Sequence, residues 1–247
     1  MLDKEPGKAN DAELLARLMR LAWLSPAQQK RLAAAMTSYD AVPDELIFTD
    51  DESSASHVYV LLSGAARFSC VGVKRGRIVI AIISPGVIPR PPALAHLNCQ
   101  FRCEALRHSR IAKISRSSFI EIVLGVRVGD FERVATLLFG GLDSLLIRYP
   151  GFTGHDLRSR VAITLLELGT SFGARNTRGI VLTISPTQQE LADLVGASRP
   201  KISIVLSEFV RRRAIYREGR RLALVPSRLE EMAQLPHSLV RARIEDY

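Results

Sequence analysis

The side chains with the most reactive chemistry lie close together in residues 96–108, where two cysteines stand between two histidines: His96, Cys99, Cys103 and His108. Imidazole and thiolate groups bind Zn²⁺, and four of them complete a structural zinc site. The spacing is not the closely paired one that zinc sites use, and a haem would need only one axial ligand, from His96, Cys99 or Cys70. We therefore expect no cofactor and small buried cysteines beside surface histidines, with haem or a metal at His96, Cys99 and Cys103 as the alternative.

Short β-rich segments must position this cluster. Between residues 39 and 115, the segments ELIF, HVYVLLSG, AARFSCVGV, RIVIAII and RIAKIS are separated by turn signals such as TDDESS and SPG. Closely spaced short strands with tight turns predict a small antiparallel sandwich or barrel. Helical patterns flank it at residues 11–38 and 129–150. The second carries a broad apolar stripe, which must be buried on the sandwich or on a second copy of itself.

The chain is strongly basic, with 34 Lys and Arg against 25 Asp and Glu and a net charge of +9. Nine basic and two acidic residues lie within residues 197–228. This balance predicts a polyanionic partner, nucleic acid first and an anionic membrane surface second.

No segment is long and apolar enough to span a membrane, and the N-terminus has no signal core, so we expect a cytoplasmic protein. No phosphate-binding glycine loop, nucleophile elbow or metalloprotease motif occurs, which predicts that the chain is not an enzyme.

Residues 188–210, QQELADLVGASRPKISIVLSEFV, have the spacing of a helix-turn-helix. Thr187 and Glu190 form a capping box that opens the first helix. Gly196 supplies the turn, and Ser198 is a good N-cap for the second helix. The apolar positions of the second helix leave a polar face exposed: Arg199, Lys201, Ser203, Ser207 and Glu208.

Arg199 projects from the end of the second helix that enters the major groove in such motifs. An arginine there can bond guanine through O6 and N7. The following segment, RAIYREGRRLALV, predicts a strand, a turn and a strand, which make a basic wing. We assign DNA backbone contacts to seven polar or basic residues: Thr187, Gln188, Ser198, Ser207, Arg217, Arg220 and Arg221.

With these motifs the chain resembles the Crp/Fnr superfamily of bacterial transcription regulators. VYVLLSGAARFS followed by RIVIAIISPG resembles the signature of the cyclic-nucleotide-binding β-roll, and DLRSRVAITLLELG with TQQELADLVGASRPKISIVLSEFVRRRAI resembles the winged helix-turn-helix half. The resemblance implies an α+β fold. An N-terminal antiparallel, jelly-roll-like β-roll sensor domain with helices would occupy residues 1–128, a long dimerisation helix 129–150, and a C-terminal winged helix-turn-helix 151–247.

The effector loop departs from that pattern. Nucleotide-binding members carry a glycine–glutamate pair, whose glutamate holds the ribose, and an arginine–serine or arginine–threonine pair that holds the cyclic phosphate. The first pair is replaced here by Arg90 and Pro91, and the second by Cys99 and Gln100, with Arg102 nearby. Proline also lacks the amide hydrogen that would hold a phosphate. We therefore expect a degenerate effector pocket that does not bind cyclic AMP in the usual way.

The DNA-reading helix departs as well. Many members follow the recognition arginine with a glutamate and a second arginine one turn later, and these positions are Pro200 and Ile204 here. Arg199 is retained, and we expect Lys201 and Ser203 to supply the other base contacts.

Together these features predict a homodimeric, sequence-specific transcription regulator that binds a pseudo-palindromic site on double-stranded DNA. RNA polymerase is a further candidate partner, and the sequence does not identify an effector. The alternative is a sensor or scaffold protein that acts through protein contacts, with a weak or non-specific DNA-binding domain.

Overall fold

The computed structural model describes residues 6–18, 21, 24–49, 56–72, 76–88, 99–124 and 156–233. The chain divides into two compact units, Met1–Leu145 and Leu146–Tyr247. The predicted dimerisation helix at 129–150 lies outside the described residues, as do the predicted domain boundaries on either side of it. Searched over the described residues, the chain has no helix long and apolar enough to cross a membrane.

Two antiparallel four-stranded sheets form the centre of the N-terminal unit. Their strand orders are β1-β8-β3-β6 and β2-β7-β4-β5. This arrangement confirms the predicted antiparallel sandwich. The described elements of the unit are α1 (Pro6–Ala16), α2 (Pro26–Ala35), β1 (Thr37–Ala41), β2 (Leu46–Thr49), β3 (His57–Ser63), β4 (Ala66–Gly72), β5 (Gly76–Ile83), β6 (Gly86–Val87), β7 (Cys99–Ala105), β8 (Ser109–Ser115) and α3 (Arg116–Leu124).

Strand β3 shows how alternate residues build two cores. Tyr59 and Leu61 are part of a core between the two sheets. The other members of this core include Phe48, Phe68, Phe101, Cys103 and Ile111. Val60 and Leu62 point to the other face of the strand. There they pack in a second core with residues of the three helices, including Leu15, Leu32, Phe119 and Ile122.

Polar side chains fix the two N-terminal helices. Ser25 caps α2 in a capping box with Gln28, and Pro26 takes the first helical position. The carboxylate of Asp11 on α1 is buried and accepts a hydrogen bond from Arg110 Nε at 3.0 Å. Because Arg110 lies on β8, this ion pair ties α1 to the sheet that contains β1, β8, β3 and β6.

The C-terminal unit packs helices on a small antiparallel sheet of order β11-β12-β10-β9. Its described elements are α4 (Leu157–Phe172), β9 (Gly173–Asn176), β10 (Gly179–Leu182), α5 (Gln188–Val195), α6 (Arg199–Arg211), β11 (Ile215–Glu218), β12 (Arg221–Leu224) and α7 (Pro226–Ala233). The helix at α4 and the wing strands confirm the prediction.

The hairpin of β9 and β10 was not predicted from the sequence, which indicates only a helix in this region. Gly173 ends α4 so tightly that a Cβ atom on it would lie 2.1 Å from the carbonyl oxygen of Gly169. Gly179 is the first residue of β10 and has a φ of +147°, a backbone conformation that residues with a side chain rarely adopt. Backbone packing at these glycines, rather than side-chain periodicity, therefore defines the hairpin.

Asp156 caps the N-terminus of α4, and its carboxylate accepts a hydrogen bond from the Ser159 amide at 2.8 Å. This backbone hydrogen bond, with the charge of Arg158, lowers the pKa of Asp156 below its ordinary value of 3.8. We expect Asp156→Ala to lower the free energy of unfolding by about 1 kcal/mol at neutral pH, measured by chemical denaturation.

The same cap gives a pH dependence with a definite sign. A depressed folded pKa means that the stabilisation is present above the ordinary pKa and is lost as pH falls through the folded value. The stability difference between wild type and Asp156→Ala should therefore shrink in acid. Asp156→Asn is the control, because asparagine caps about as well as aspartate and does not titrate. An Ala variant as stable as wild type at neutral pH would contradict the prediction.

Candidate nucleic-acid interface

Helix α5 begins and ends with the local features predicted for the first helix of the motif. The Thr187 hydroxyl accepts a hydrogen bond from the Glu190 amide at 3.1 Å, and the Glu190 carboxylate accepts one from the Thr187 amide at 2.6 Å. Gly196 ends the helix in the left-handed conformation, with φ of 64° and ψ of 45°. Since only glycine adopts this conformation at little cost, it sets the turn into α6.

Helix α6 is held by one apolar face. Ile202, Val205 and Phe209 are buried, and Leu191, Ala192 and Leu194 of α5 are buried as well. Ala192 and Ile202 are fully inaccessible to solvent, so the two helices are packed without a gap at these positions. The predicted core of the helix-turn-helix is confirmed, and it leaves the opposite face of α6 open.

The predicted base-contact residues lie at the N-terminal end of α6. Arg199 and Lys201 are exposed, and Ser203 is half-buried. The hydroxyl of Ser207, one turn beyond Ser203, donates to the Ser203 carbonyl oxygen at 2.9 Å. Ser198 occupies the N-cap position, but its hydroxyl makes no capping hydrogen bond. The hydroxyl of Ser198 is therefore not used in holding the helix.

The wing is a two-stranded turn with basic side chains at its tip. Arg217, Arg220 and Arg221 are exposed, and Gly219 turns the chain with a φ of +61°. The Ser185 hydroxyl donates to the Arg220 carbonyl oxygen at 3.1 Å, which fixes the tip to the segment before α5. Thr187 is exposed and Gln188 half-buried at the start of α5.

Two of the nine basic residues in segment 197–228 have structural partners. Arg212 Nε donates to Glu208 at 3.0 Å, and Arg228 donates to the Arg212 carbonyl oxygen at 3.0 Å. Glu208 was expected on the exposed face, and this was wrong. Its side chain is only 14% exposed, because Arg158 from α4 also pairs with it, at 2.9 Å.

The other seven basic residues are exposed and form no ion pair within the described part of the chain: Arg199, Lys201, Arg211, Arg213, Arg217, Arg220 and Arg221. Unpaired charges of one sign on a helix and its wing produce a positive potential that attracts a polyanion. The charges that remain are therefore concentrated on the two elements that the helix-turn-helix prediction assigns to DNA.

Ile204 stands where many Crp/Fnr members carry a second arginine, and the sequence led to no contact being assigned to it. It is 68% exposed at the middle of α6. Helical periodicity contains this information, because Ile204 falls between the buried positions Ile202 and Val205 and turns away from both.

The predicted effector pocket is only partly described. Arg90, Pro91 and His96 lie outside the described residues. Cys99 and Gln100 begin β7, which pairs with β4. The degenerate effector pocket therefore stays a prediction, because Arg90 and Pro91 lie outside the described part of the chain.

Arg102 lies on the outer face of its sheet. Its neighbours Phe101 and Cys103 are both buried in the core between the sheets, and successive strand residues point to opposite faces. The guanidinium of Arg102 pairs with Glu104 at 3.2 Å on this outer face. Arg67 on the adjacent strand also pairs with Glu104, at 3.0 Å.

Cys103 is fully buried, and burial raises the pKa of its thiol above the ordinary value, with a smaller contribution from the charge of Glu104. A thiol in this state stays protonated at neutral pH and is a poor nucleophile or metal ligand. His108 is exposed at the turn after β7, and Cys70 is half-buried. Within the described ranges, no group of three or more His, Cys, Asp or Glu side chains is placed to hold a metal ion.

Comparison with known proteins agrees with this geometry. A family model described as a Crp-like helix-turn-helix domain matches residues 159–232. The HTH-type transcriptional regulator Cmr of Mycobacterium tuberculosis is 27% identical over 185 residues, 74% of this chain and 70% of that protein. The CRP-like cAMP-activated global transcriptional regulator of the same organism is 38% identical over 72 residues, 29% of this chain and 32% of that protein.

The fold has a close counterpart among solved structures. FixK2 from Bradyrhizobium japonicum superimposes with a TM-score of 0.66 at 22% identity, covering 81% of this chain and 98% of that chain. At this identity the likeness shows the fold alone, whereas the family model and the curated relatives give the class of protein. Residues 159–232 therefore form a Crp-like helix-turn-helix domain, and the chain is similar to DNA-binding transcription regulators of the Crp/Fnr superfamily.

Proposed function

We propose that the protein is a homodimeric regulator that binds a specific DNA sequence through α6 and its wing, and that it works without the usual cyclic AMP control. The observation that carries the proposal is the exposed basic set at the N-terminal end of α6 and on the wing, none of it paired within the described residues. A helix that enters the major groove with free cations can meet both base edges and phosphates.

Base contacts are assigned to Arg199, Lys201 and Ser203. Arg199 is exposed in the first turn of α6, where its guanidinium has no ion-pair partner among the described residues. Arginine recognises guanine by two parallel hydrogen bonds, which makes it the side chain with the largest discrimination between bases.

Backbone contacts are assigned to residues around both helix N-termini and on the wing. The uncapped hydroxyl of Ser198 and the hydroxyl of Thr187 lie where helix amides attract phosphate oxygens. Gln188, Ser207, Arg217, Arg220 and Arg221 complete the proposed set. The Ser207 hydroxyl donates its hydrogen to the Ser203 carbonyl oxygen, so it would have to leave that bond to donate to a phosphate, and its contact would be the weakest of these.

Dimerisation is proposed through segment 129–150, on the basis of its apolar stripe in the sequence. Two copies related by a twofold axis would present two α6 helices to half-sites about 34 Å apart, one turn of DNA. A pseudo-palindromic site follows from that symmetry. RNA polymerase is a further proposed partner, which would make regulation depend on where the site lies relative to a promoter.

Arg199→Ala tests the specific contact. We expect it to weaken binding to a preferred duplex by about 1–3 kcal/mol, a factor of about 5 to 150, because one bidentate base contact is lost. The preferred duplex is obtained by selection from a random pool with the wild-type protein at moderate salt, and affinity is measured by electrophoretic shift.

Arg211→Ala is the matched control for this test. Arg211 is exposed near the other end of α6, so a contact there should be to phosphate and its loss should weaken selected and bulk DNA alike. An Arg199→Ala variant that binds the selected duplex as well as wild type would favour the alternative, a sensor or scaffold with a weak or non-specific DNA-binding domain.

Independence from cyclic AMP is supported by the described part of the sensor unit. Phe68 and Phe101 stack between the sheets with their ring centroids 5.6 Å apart, and Arg102 points to the outer face, away from that core. A ligand between the sheets would have to displace the stacked rings. The relative that is called cAMP-activated matches less than a third of this chain, so its effector is not carried over to this chain.

We expect the sensor unit to work without cyclic AMP and without a bound cofactor. Saturating cyclic AMP should change the affinity for the selected duplex by less than tenfold, because the replaced anchor residues leave the ligand without ribose and phosphate contacts. The ultraviolet–visible spectrum and metal content of the same preparation should show no haem, iron–sulfur cluster or zinc. A rise of more than tenfold in the affinity for DNA with cyclic AMP would contradict the first part of this prediction. A stoichiometric metal would contradict the second.

A further inference from the structure

Ile204 is a large apolar side chain on the open face of the helix that is proposed to read DNA. It is 68% exposed, whereas Ile202 and Val205 are 0% and 6% exposed. An α-helix turns by about 100° per residue. One row of side chains therefore runs along the side of α6 opposite its buried face: Pro200, Ile204, Ser207 and Arg211.

The surroundings of Ile204 are not those of a protein-binding patch. Arg199 and Lys201 lie in the turn before it, and Arg211 follows on the same side of the helix, all three exposed. This set of cations suits a nucleic-acid surface, on which an exposed isoleucine can bury itself against only one kind of group. The major groove offers a single apolar group, the C5-methyl of thymine, which aliphatic side chains contact.

We propose that Ile204 is a specificity-determining residue that selects thymine by contact with its methyl group. The proposal rests on the proposed function of α6 and deepens it. Pro200, exposed one turn earlier in the same row, would extend the apolar surface that the methyl group meets. Base selection by α6 then combines hydrogen bonding at its first turn with apolar contact at its middle.

The position of Ile204 also predicts where the thymine lies. Ile204 is about 7.5 Å farther along the helix axis than Arg199. This separation is about two base-pair steps of roughly 3.4 Å. The selected sequence should therefore carry a thymine about two to three base pairs from the guanine read by Arg199.

Replacement of thymine by deoxyuridine tests the contact, because it removes only the methyl group. Each thymine of the duplex selected by the wild-type protein is replaced in turn, and affinity is measured by fluorescence anisotropy. Wild type should lose about three- to tenfold at one or more positions, the effect of about one buried methyl group. Ile204→Ala should bind thymine and deoxyuridine equally there, and Ile204→Val should keep most of the preference.

Val210→Ala is the control variant. Val210 is a second exposed apolar residue of α6, 51% exposed at its C-terminal end, and it should leave the sensitivity to deoxyuridine unchanged. Wild-type protein that tolerates deoxyuridine at every position would overturn the proposal, as would an Ile204→Ala variant that stays as sensitive as wild type. In both cases specific binding stands. Failure to select any preferred duplex would instead overturn the proposed function, and the role of Ile204 with it.

Discussion

Phe209→Ala is expected to lower the free energy of unfolding of the C-terminal unit by about 3–5 kcal/mol, because it removes a large buried ring and leaves a cavity. Phe209 is fully inaccessible on the inner face of α6, where Ile202 and Val205 are its buried neighbours. Its carbonyl oxygen also accepts the hydrogen bond from the Ala214 amide that ends the helix, at 2.9 Å. The ring therefore holds the orientation of the reading helix, and the backbone of the same residue fixes the chain where the helix ends.

Hydrogen exchange measured by mass spectrometry checks this prediction. Peptides that cover residues 188–224 should lose protection in the variant, since opening of the helix-turn-helix becomes more frequent as its stability falls. Val210→Ala, on the exposed side of the same helix, should change stability by less than about 0.5 kcal/mol. Equal protection in the Phe209 variant and wild type would mean that the ring does not stabilise the motif.

Glu104→Gln is the second change with a large expected effect. The Glu104 carboxylate is 5% exposed and pairs with Arg67, which is 13% exposed, and with Arg102. Burial opposes the charge of Arg67, but hydrogen bonds to Glu104 and Asp44 outweigh it and raise the pKa of the guanidinium. Neutralising Glu104 leaves two cations on this face with one less counter-charge, and such a loss in a buried pair costs about 3–5 kcal/mol.

We expect Glu104→Gln to lower the free energy of unfolding by about 3 kcal/mol, the low end of this range, because Arg67 keeps its contact with Asp44 at 2.7 Å. Urea denaturation followed by the fluorescence of Trp23, the single tryptophan of the sequence, measures this loss. Asp44→Asn removes the exposed partner of the same arginine, whose side chain is 77% exposed, and should cost less than about 1 kcal/mol. Equal effects of the two variants would show that burial does not decide the strength of this network.

Much of the reading unit could be predicted from local sequence. The capping box at Thr187 and Glu190, the left-handed Gly196 and the buried face of Ile202, Val205 and Phe209 each depend on residues within a few positions of one another. The same holds for the wing turn at Gly219. Backbone capping, glycine conformation and helical periodicity are short-range requirements, so the sequence states them directly.

Five strands of the sensor unit, β2, β3, β4, β5 and β8, were predicted for the same reason, but β1, β6, β7 and the pairing of the strands were not. Pairing between distant segments places β7 between β2 and β4. Arg102 therefore lies on the same outer face as Glu104 and Arg67. The hairpin of β9 and β10 was missed because close backbone approach at Gly173 and Gly179 defines it.

The sequence by itself determined the class of fold, the helix-turn-helix and the concentration of positive charge near its second helix. Only the tertiary structure decided which of those charges remain free. Arg158 reaches Glu208 from another helix, Arg212 pairs with the same carboxylate, and Arg228 binds carbonyl oxygens at the end of α6. Whether a side chain is free depends on which neighbours cover it, and two of these neighbours, Arg158 on α4 and Arg228 on α7, come from other elements of the chain.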